Sequence, residues 1–117
     1  MKVGVLKEIK NNEYRVAATP SSVTELVNRG HKVFVENKAG LGSGYTDADY
    51  KKAGAEIANA DTIWKESEMI YKVKEILPEE YKYLRDGLIV FTYLHSNAHL
   101  EMTKELLKNK VIGIAYE

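Results

Sequence analysis

Cysteine is absent from this chain of 117 residues. That excludes disulfides, thiolate nucleophiles and zinc–thiolate sites. An excess of either charge is absent too: 17 basic and 17 acidic side chains cancel. No global field therefore draws the chain toward nucleic acid or an anionic membrane, and neither is expected as a partner. No apolar run approaches the roughly 20 residues that a membrane-crossing helix requires. The opening Met1 to Glu8 mixes acid and base and has no apolar core, which is not the pattern of a signal peptide. The expectation is a soluble cytoplasmic protein. Histidine is scarce, with His31, His95 and His99. Only His95 and His99 stand at a helical i, i+4 spacing, and no neighbouring residues complete a ligand set, so no metal is expected.

What is present is ample apolar material. Hydrophobic residues make up 44% of the chain, enough for one ordinary domain to bury a core without staples. Short apolar runs rich in β-branched and aromatic residues lie at Val3–Leu6, Lys32–Glu36, Met69–Val73, Leu88–Leu94 and Val111–Tyr116. Several are almost continuously apolar, as suits strands covered on both faces of a parallel sheet. Helical patterns alternate with them. The spacing predicts a helix from Pro20 to Arg29, with Thr19 as N-cap, Pro20 at the first helical position and Gly30 as a left-handed cap. Val23, Leu26 and Val27 form its stripe, and Glu25 pairs with Arg29 on the wet face. A second helix is expected from Thr46 to Ala53, ending at Gly54, and a third from about Asn97 to Lys108, burying Leu100, Leu106 and Leu107. Shorter helical pieces fall near Asp61–Lys65 and Glu79–Leu84.

Strands alternating with helices imply right-handed crossovers. The fold class is therefore α/β: an open, mainly parallel sheet with helices on both faces, a three-layer Rossmann- or flavodoxin-like domain spanning residues 1–117. The chain stops directly after its last expected strand. Open α/β domains seldom end on a central strand, so the expectation is a piece of a longer chain.

Ala39-Gly40-Leu41-Gly42-Ser43-Gly44-Tyr45 invites a phosphate-binding reading. Its spacing is G-x-G-x-G rather than G-x-G-x-x-G, it follows the second strand, and no acidic residue ends a following strand where a ribose would need it. A surface turn with Thr46 capping the next helix is the better reading. Three other residues lie just past strand ends on the edge where open α/β proteins bind ligands. They are Arg15 in the Asn11–Arg15 loop, Lys74 after Met69–Val73, and His95 after Phe91–Leu94. A guanidinium grips a carboxylate with two parallel hydrogen bonds, an ammonium polarises a carbonyl oxygen, and an imidazole titrates near neutrality. Together they suggest a small-anion site.

At these residues the sequence resembles the alanine dehydrogenases. The opening from Val3 to Pro20 is similar to the start shared by those enzymes and the α subunit of proton-translocating transhydrogenases. Arg29-Gly30-His31, Ala39-Gly40-Leu41-Gly42-Ser43 and Thr46-Asp47-Ala48-Asp49-Tyr50 continue the likeness. Lys72-Val73-Lys74-Glu75 and Tyr93-Leu94-His95 look like the dehydrogenase versions, since transhydrogenase domains typically lack the second lysine and the histidine. Ile114-Ala115-Tyr116-Glu117 also fits.

The resemblance implies reversible oxidative deamination of L-alanine to pyruvate and ammonia, with NAD bound by a domain outside this chain and with a hexamer as the complete assembly. It implies that Arg15 holds the substrate carboxylate, that Lys74 contacts the carboxylate or the carbonyl oxygen, and that His95 donates and accepts the proton. The isolated chain is expected to be inactive. The alternatives are a transhydrogenase α-subunit-like domain and a non-catalytic module that binds small 2-oxo acids. A receiver domain would want acidic residues after the first strand, where Lys7 and Glu8 stand, and a flavodoxin would want a flavin-phosphate cradle there.

Overall fold

A computed structural model describes residues 1–92 and 100–115. In chain order it contains β1 (Lys2–Val5), α1 (Pro20–Asn28), β2 (Lys32–Glu36), α2 (Asp47–Lys52), β3 (Glu56–Ala58), α3 (Ala60–Glu66), β4 (Met69–Tyr71), β5 (Ile89–Thr92), α4 (Leu100–Lys108) and β6 (Ile112–Ala115). Short 3₁₀ turns occupy Leu41–Ser43 and Pro78–Tyr83. Among the described residues the strands form one six-stranded sheet in the order β3-β2-β1-β4-β5-β6, and every pairing is parallel. The order reverses between β2 and β4 around β1. A crevice at the carboxyl ends of the strands opens there, the usual ligand position in such sheets.

Side chains alternate across the pleat and feed two separate cores. Val33 and Val35 of β2 point to one face, where Val23 and Leu26 of α1 and Tyr50 of α2 cover them. Phe34 points to the other face with Ile70 and Val90, against Ile63 and Trp64 of α3 and Met102 and Leu106 of α4. Helices thus cover both faces, which is why the strands read as continuous apolar runs. At Gly4 the sheet lies close against α3 and the residue that follows it. A Cβ there would stand 2.3 Å from Ser67 Oγ and 2.5 Å from Ile63 Cγ2.

Local signals explain the helices that cover the sheet. Thr19 accepts the Ser22 N–H, Pro20 opens α1, and Arg29 bonds to Glu25 one turn back. Thr46 and Asp49 form a reciprocal capping box at α2, so Thr46 is the cap and the helix proper starts at Asp47. Asn59 caps α3.

Some expectations need correction. β3 is an additional strand: Glu56-Ile57-Ala58 is too short and too mixed in character to announce itself. The strand predicted over Met69–Val73 ends at Tyr71; the Lys72 N–H still donates to the Phe91 carbonyl of β5, and the chain bends at Val73 and Lys74. Leu107 was expected inside and is 75% exposed; Met102 and Leu106, one turn apart, make the buried stripe of α4 instead. The last strand was expected to be central. β6 pairs only with β5 among the described residues, and all four of its residues are exposed. The start of the third predicted helix at Asn97–His99, the end of the fourth run at Tyr93–Leu94, Tyr116 at the end of the fifth and the site candidate His95 lie outside the described residues.

Candidate anion site at the carboxyl edge

The loop between β1 and α1 brings Arg15 over the carboxyl edge, and the turn after β4 brings Lys74 beneath it. Their side chains meet at Glu13. Arg15 Nε donates to Glu13 Oε2 at 2.9 Å and Nη2 donates to Oε1 at 2.8 Å, a two-pronged grip. The Arg15 backbone N–H donates to Oε2 at 3.0 Å. Lys74 Nζ stands 4.0 Å from Oε1 of the same carboxylate. The Arg15 hydrogen bonds hold the Glu13 carboxyl well below the ordinary range, at about 2, against the opposing effect of burial. A carboxylate held by a guanidinium fork with an ammonium beside it is the arrangement that a small organic acid would require.

A cleft of about 330 Å³ adjoins this cluster, lined by Arg15, Val16, Ala17, Thr19, Ser43, Tyr45, Tyr71 and Val73. Ser43 comes from the glycine loop. Its hydroxyl donates to the Tyr14 carbonyl at 2.9 Å, and a Cβ on Gly42 would stand 2.8 Å from that same carbonyl oxygen. The glycines therefore let one loop lie flat on the backbone that carries Arg15. This is a supporting role that the phosphate question had hidden. The loop does not suit a dinucleotide. Asp47 accepts the Lys38 N–H, and Thr46 and Asp49 cap each other, so the N-terminus of α2 is already filled by acidic and hydroxyl groups. Two carboxylates there would repel a pyrophosphate.

Beneath Lys74 lies a group of charges that sequence reasoning missed. Glu8 is 6% exposed and Lys72 is 1% exposed. Lys72 Nζ sits 3.2 Å from Glu8 Oε1 and 3.3 Å from Glu80 Oε2. The Glu8 carboxylate also accepts the backbone N–H groups of Val73 at 3.0 Å and Lys74 at 3.1 Å. Thr92, at the end of β5, donates its hydroxyl to the Lys74 carbonyl at 2.6 Å. The peptide groups on both sides of Lys74 are thus fixed. Burial pushes the Glu80 carboxyl up, opposed by Lys72 and by the Leu77 N–H. Glu75 is also buried and takes Lys10 as its partner. The signal that could have found this cluster is the run Lys72-Val73-Lys74-Glu75, where three charges follow a buried strand with no polar face to occupy.

Of the three candidate residues, Arg15 and Lys74 are brought together and His95 lies outside the described residues. Among the described residues no three His, Cys, Asp or Glu side chains are arranged to hold a metal ion, and no helix is long and apolar enough to cross a membrane.

The fold and the rim define a parallel α/β domain in which two cations, Arg15 and Lys74, meet one carboxylate, Glu13. The chain belongs to the family described as alanine dehydrogenase/PNT, N-terminal domain, which matches residues 4–117. It is 56% identical over its full length to an alanine dehydrogenase of Staphylococcus haemolyticus, of which it covers 31%. With an alanine dehydrogenase of Bacillus subtilis the identity is 54%, again over the whole chain and 31% of that protein. A solved L-alanine dehydrogenase superposes with a TM-score of 0.97 at 48% identity, covering all of this chain and 32% of that one. A transhydrogenase from Sinorhizobium meliloti superposes with a TM-score of 0.92 at 32% identity, over 98% of this chain and 34% of that one. The chain thus spans about a third of the length of the proteins that it matches.

Proposed function

We propose that this chain is the substrate-holding part of an NAD-dependent L-alanine dehydrogenase, which interconverts L-alanine with pyruvate and ammonia. One observation carries the reading: Arg15 and Lys74 converge on a single carboxylate. In this reading Arg15 fixes the substrate carboxylate through its planar fork. Lys74 contacts that carboxylate or polarises the carbonyl oxygen of pyruvate. His95 carries the proton to and from the substrate nitrogen or oxygen. NAD would accept the hydride, and it is held by the two thirds of the longer relatives that this chain does not span. The N-terminus of α2, filled by its own carboxylates, supports that assignment. The domain is then the N-terminal part of a catalytic unit in a cytoplasmic homo-oligomer, a hexamer in complete form. Both neighbours share the fold, and the alanine dehydrogenase is the nearer in sequence of the two solved structures compared above.

A chain without a hydride acceptor loses the proximity and orientation that supply about 7–11 kcal/mol of barrier lowering. The 117-residue chain should therefore bind pyruvate without turning over L-alanine. Titration calorimetry with pyruvate tests the site: Arg15→Ala should weaken binding about tenfold or more, the worth of charge-assisted hydrogen bonds of about 1.5–3 kcal/mol. Undiminished binding by that variant, or NADH formation from L-alanine by this chain alone, would refute the reading.

A further inference from the structure

We propose that Glu13 is a built-in stand-in for the substrate carboxylate, which a small carboxylic acid must displace, and that Glu13 thereby sets which ligands the site admits. The inference rests on the reading of Arg15 and Lys74 given above. Its observation is the bonding of Glu13 itself. Each carboxylate oxygen of Glu13 takes one prong of the guanidinium fork, at 2.9 Å and 2.8 Å, and the Lys74 ammonium stands 4.0 Å from one of them. The Glu13 side chain is only 8% exposed although its partner Arg15 is 61% exposed. The carboxylate is therefore tucked inward while the guanidinium lies over it. A cleft opens beside Arg15. A ligand carboxylate seeking the same two prongs of the fork meets a group already bound to them.

The consequence is a competition between a tethered anion and a free one. Glu13 lies two residues from Arg15 on the same loop, so its effective concentration at the guanidinium reaches the millimolar range or above. A free acid sees its affinity multiplied by the fraction of time that the fork is open, and so reduced. A ligand with its own carboxylate can take over both prongs and leave no cation unpaired. A ligand without one, such as a simple ketone or amine, has nothing to exchange for Glu13 and finds the fork closed. The site thus selects for carboxylic acids by exchange.

The test uses the full 117-residue chain, with pyruvate as probe and acetone as the ligand that lacks the carboxylate. Glu13→Gln removes the charge at nearly constant shape, and Glu13→Ala removes the acceptor as well. Both should bind pyruvate about tenfold more tightly than the parent chain. Acetone, which the closed fork of the parent excludes, should bind weakly to Glu13→Ala. Acetone shut out equally by parent and Glu13→Ala would overturn the claim that Glu13 sets the selectivity. Circular dichroism spectra matching the parent establish that each variant is folded, so that at least one of the two reports on the site. Equal or weaker pyruvate binding by the folded variants would overturn the proposal and make Glu13 a fixed part of the cradle. That failure differs from failure of the functional reading. If Arg15→Ala weakens pyruvate binding while the Glu13 variants do not strengthen it, only the exchange falls. If Arg15→Ala has no effect, or pyruvate binds to no variant, both fall.

Discussion

Replacing Glu8 with Ala should be among the most damaging single changes in this domain, and its cost follows from the contacts the carboxylate makes. The carboxylate accepts two backbone N–H groups, those of Val73 at 3.0 Å and Lys74 at 3.1 Å, and contacts Lys72 Nζ at 3.2 Å. Truncation leaves those two donors without this acceptor, at about 1–3 kcal/mol for each group that stays buried and unpaired. It also removes one of the two carboxylates around an ammonium that is 1% exposed. Breaking a buried pair outright costs about 3–5 kcal/mol, but Glu80 remains 3.3 Å away and holds part of it. Water entering the space left by the side chain repairs some of the backbone loss. The net expectation is about 3–5 kcal/mol, a large share of the roughly 5–15 kcal/mol that holds a domain together. Urea unfolding followed by circular dichroism measures this directly. Glu8→Gln should fall between the parent and Glu8→Ala, because its amide oxygen still accepts one N–H while its NH₂ faces a donor. A Glu8→Ala chain within about 1 kcal/mol of the parent would refute the claim that this carboxylate organises the turn at Lys74.

Two further outcomes follow from the same geometry. Tyr50 is fully buried and its hydroxyl donates to the Ala18 carbonyl at 2.7 Å, while burial pushes the phenol up to about 12. Tyr50→Phe should lower stability by about 1–2 kcal/mol with the ring packing retained, as read by the urea midpoint, and an unchanged midpoint would show that this bond contributes nothing. Glu13 is held near 2, below its usual 4.5, so its contribution to stability is present above pH 4.5 and is lost as pH falls toward 2. Solvent reaching Arg15 limits that contribution to under about 1 kcal/mol. Glu13→Gln should therefore show a flatter loss of stability than the parent between pH 4.5 and 2, and parallel acid profiles would count against the ion pair.

Legibility followed the physics of each residue. α1 could be read because Thr19, Pro20 and Gly30 each do a job that few other residues do there, and Gly30 does adopt the left-handed conformation, with φ of 92°. The central strands could be read because burial on both faces leaves only apolar residues. β3 could not, since an edge strand of three residues carries one strongly apolar side chain and no alternation. Leu107 misled because it is adjacent to Leu106, and in a helix neighbours in sequence diverge by about 100°. In the site, Arg15 and Lys74 were legible as lone cations beyond strand ends. Glu8 was not, because an acid after a strand reads as solvated, and only the fold shows two N–H groups and an ammonium converging on it. Glu13 was hidden in a polar loop for the same reason.

The two lysines flanking Val73 illustrate how one turn serves structure and chemistry at once. Had β4 continued, Lys72 and Lys74 would have pointed to the same face, being two residues apart. Lys72 keeps a ladder bond to Phe91 with its side chain buried, and the bend at Val73 and Lys74 leaves Lys74 29% exposed at the rim. A buried ion pair is poor value as stabilisation, because desolvation consumes most of its attraction and apolar replacements often do as well. Its use here is geometric. A methionine at position 72 would fill the space but could not draw Glu8 and Glu80 together, and Glu8 is the group that grips the Val73 and Lys74 amides. Around Lys72 two carboxylates share one cation; at the rim two cations share one carboxylate, Glu13. The carboxylates below fix the backbone, and at the rim the Arg15 guanidinium and the Lys74 ammonium face the Glu13 carboxylate.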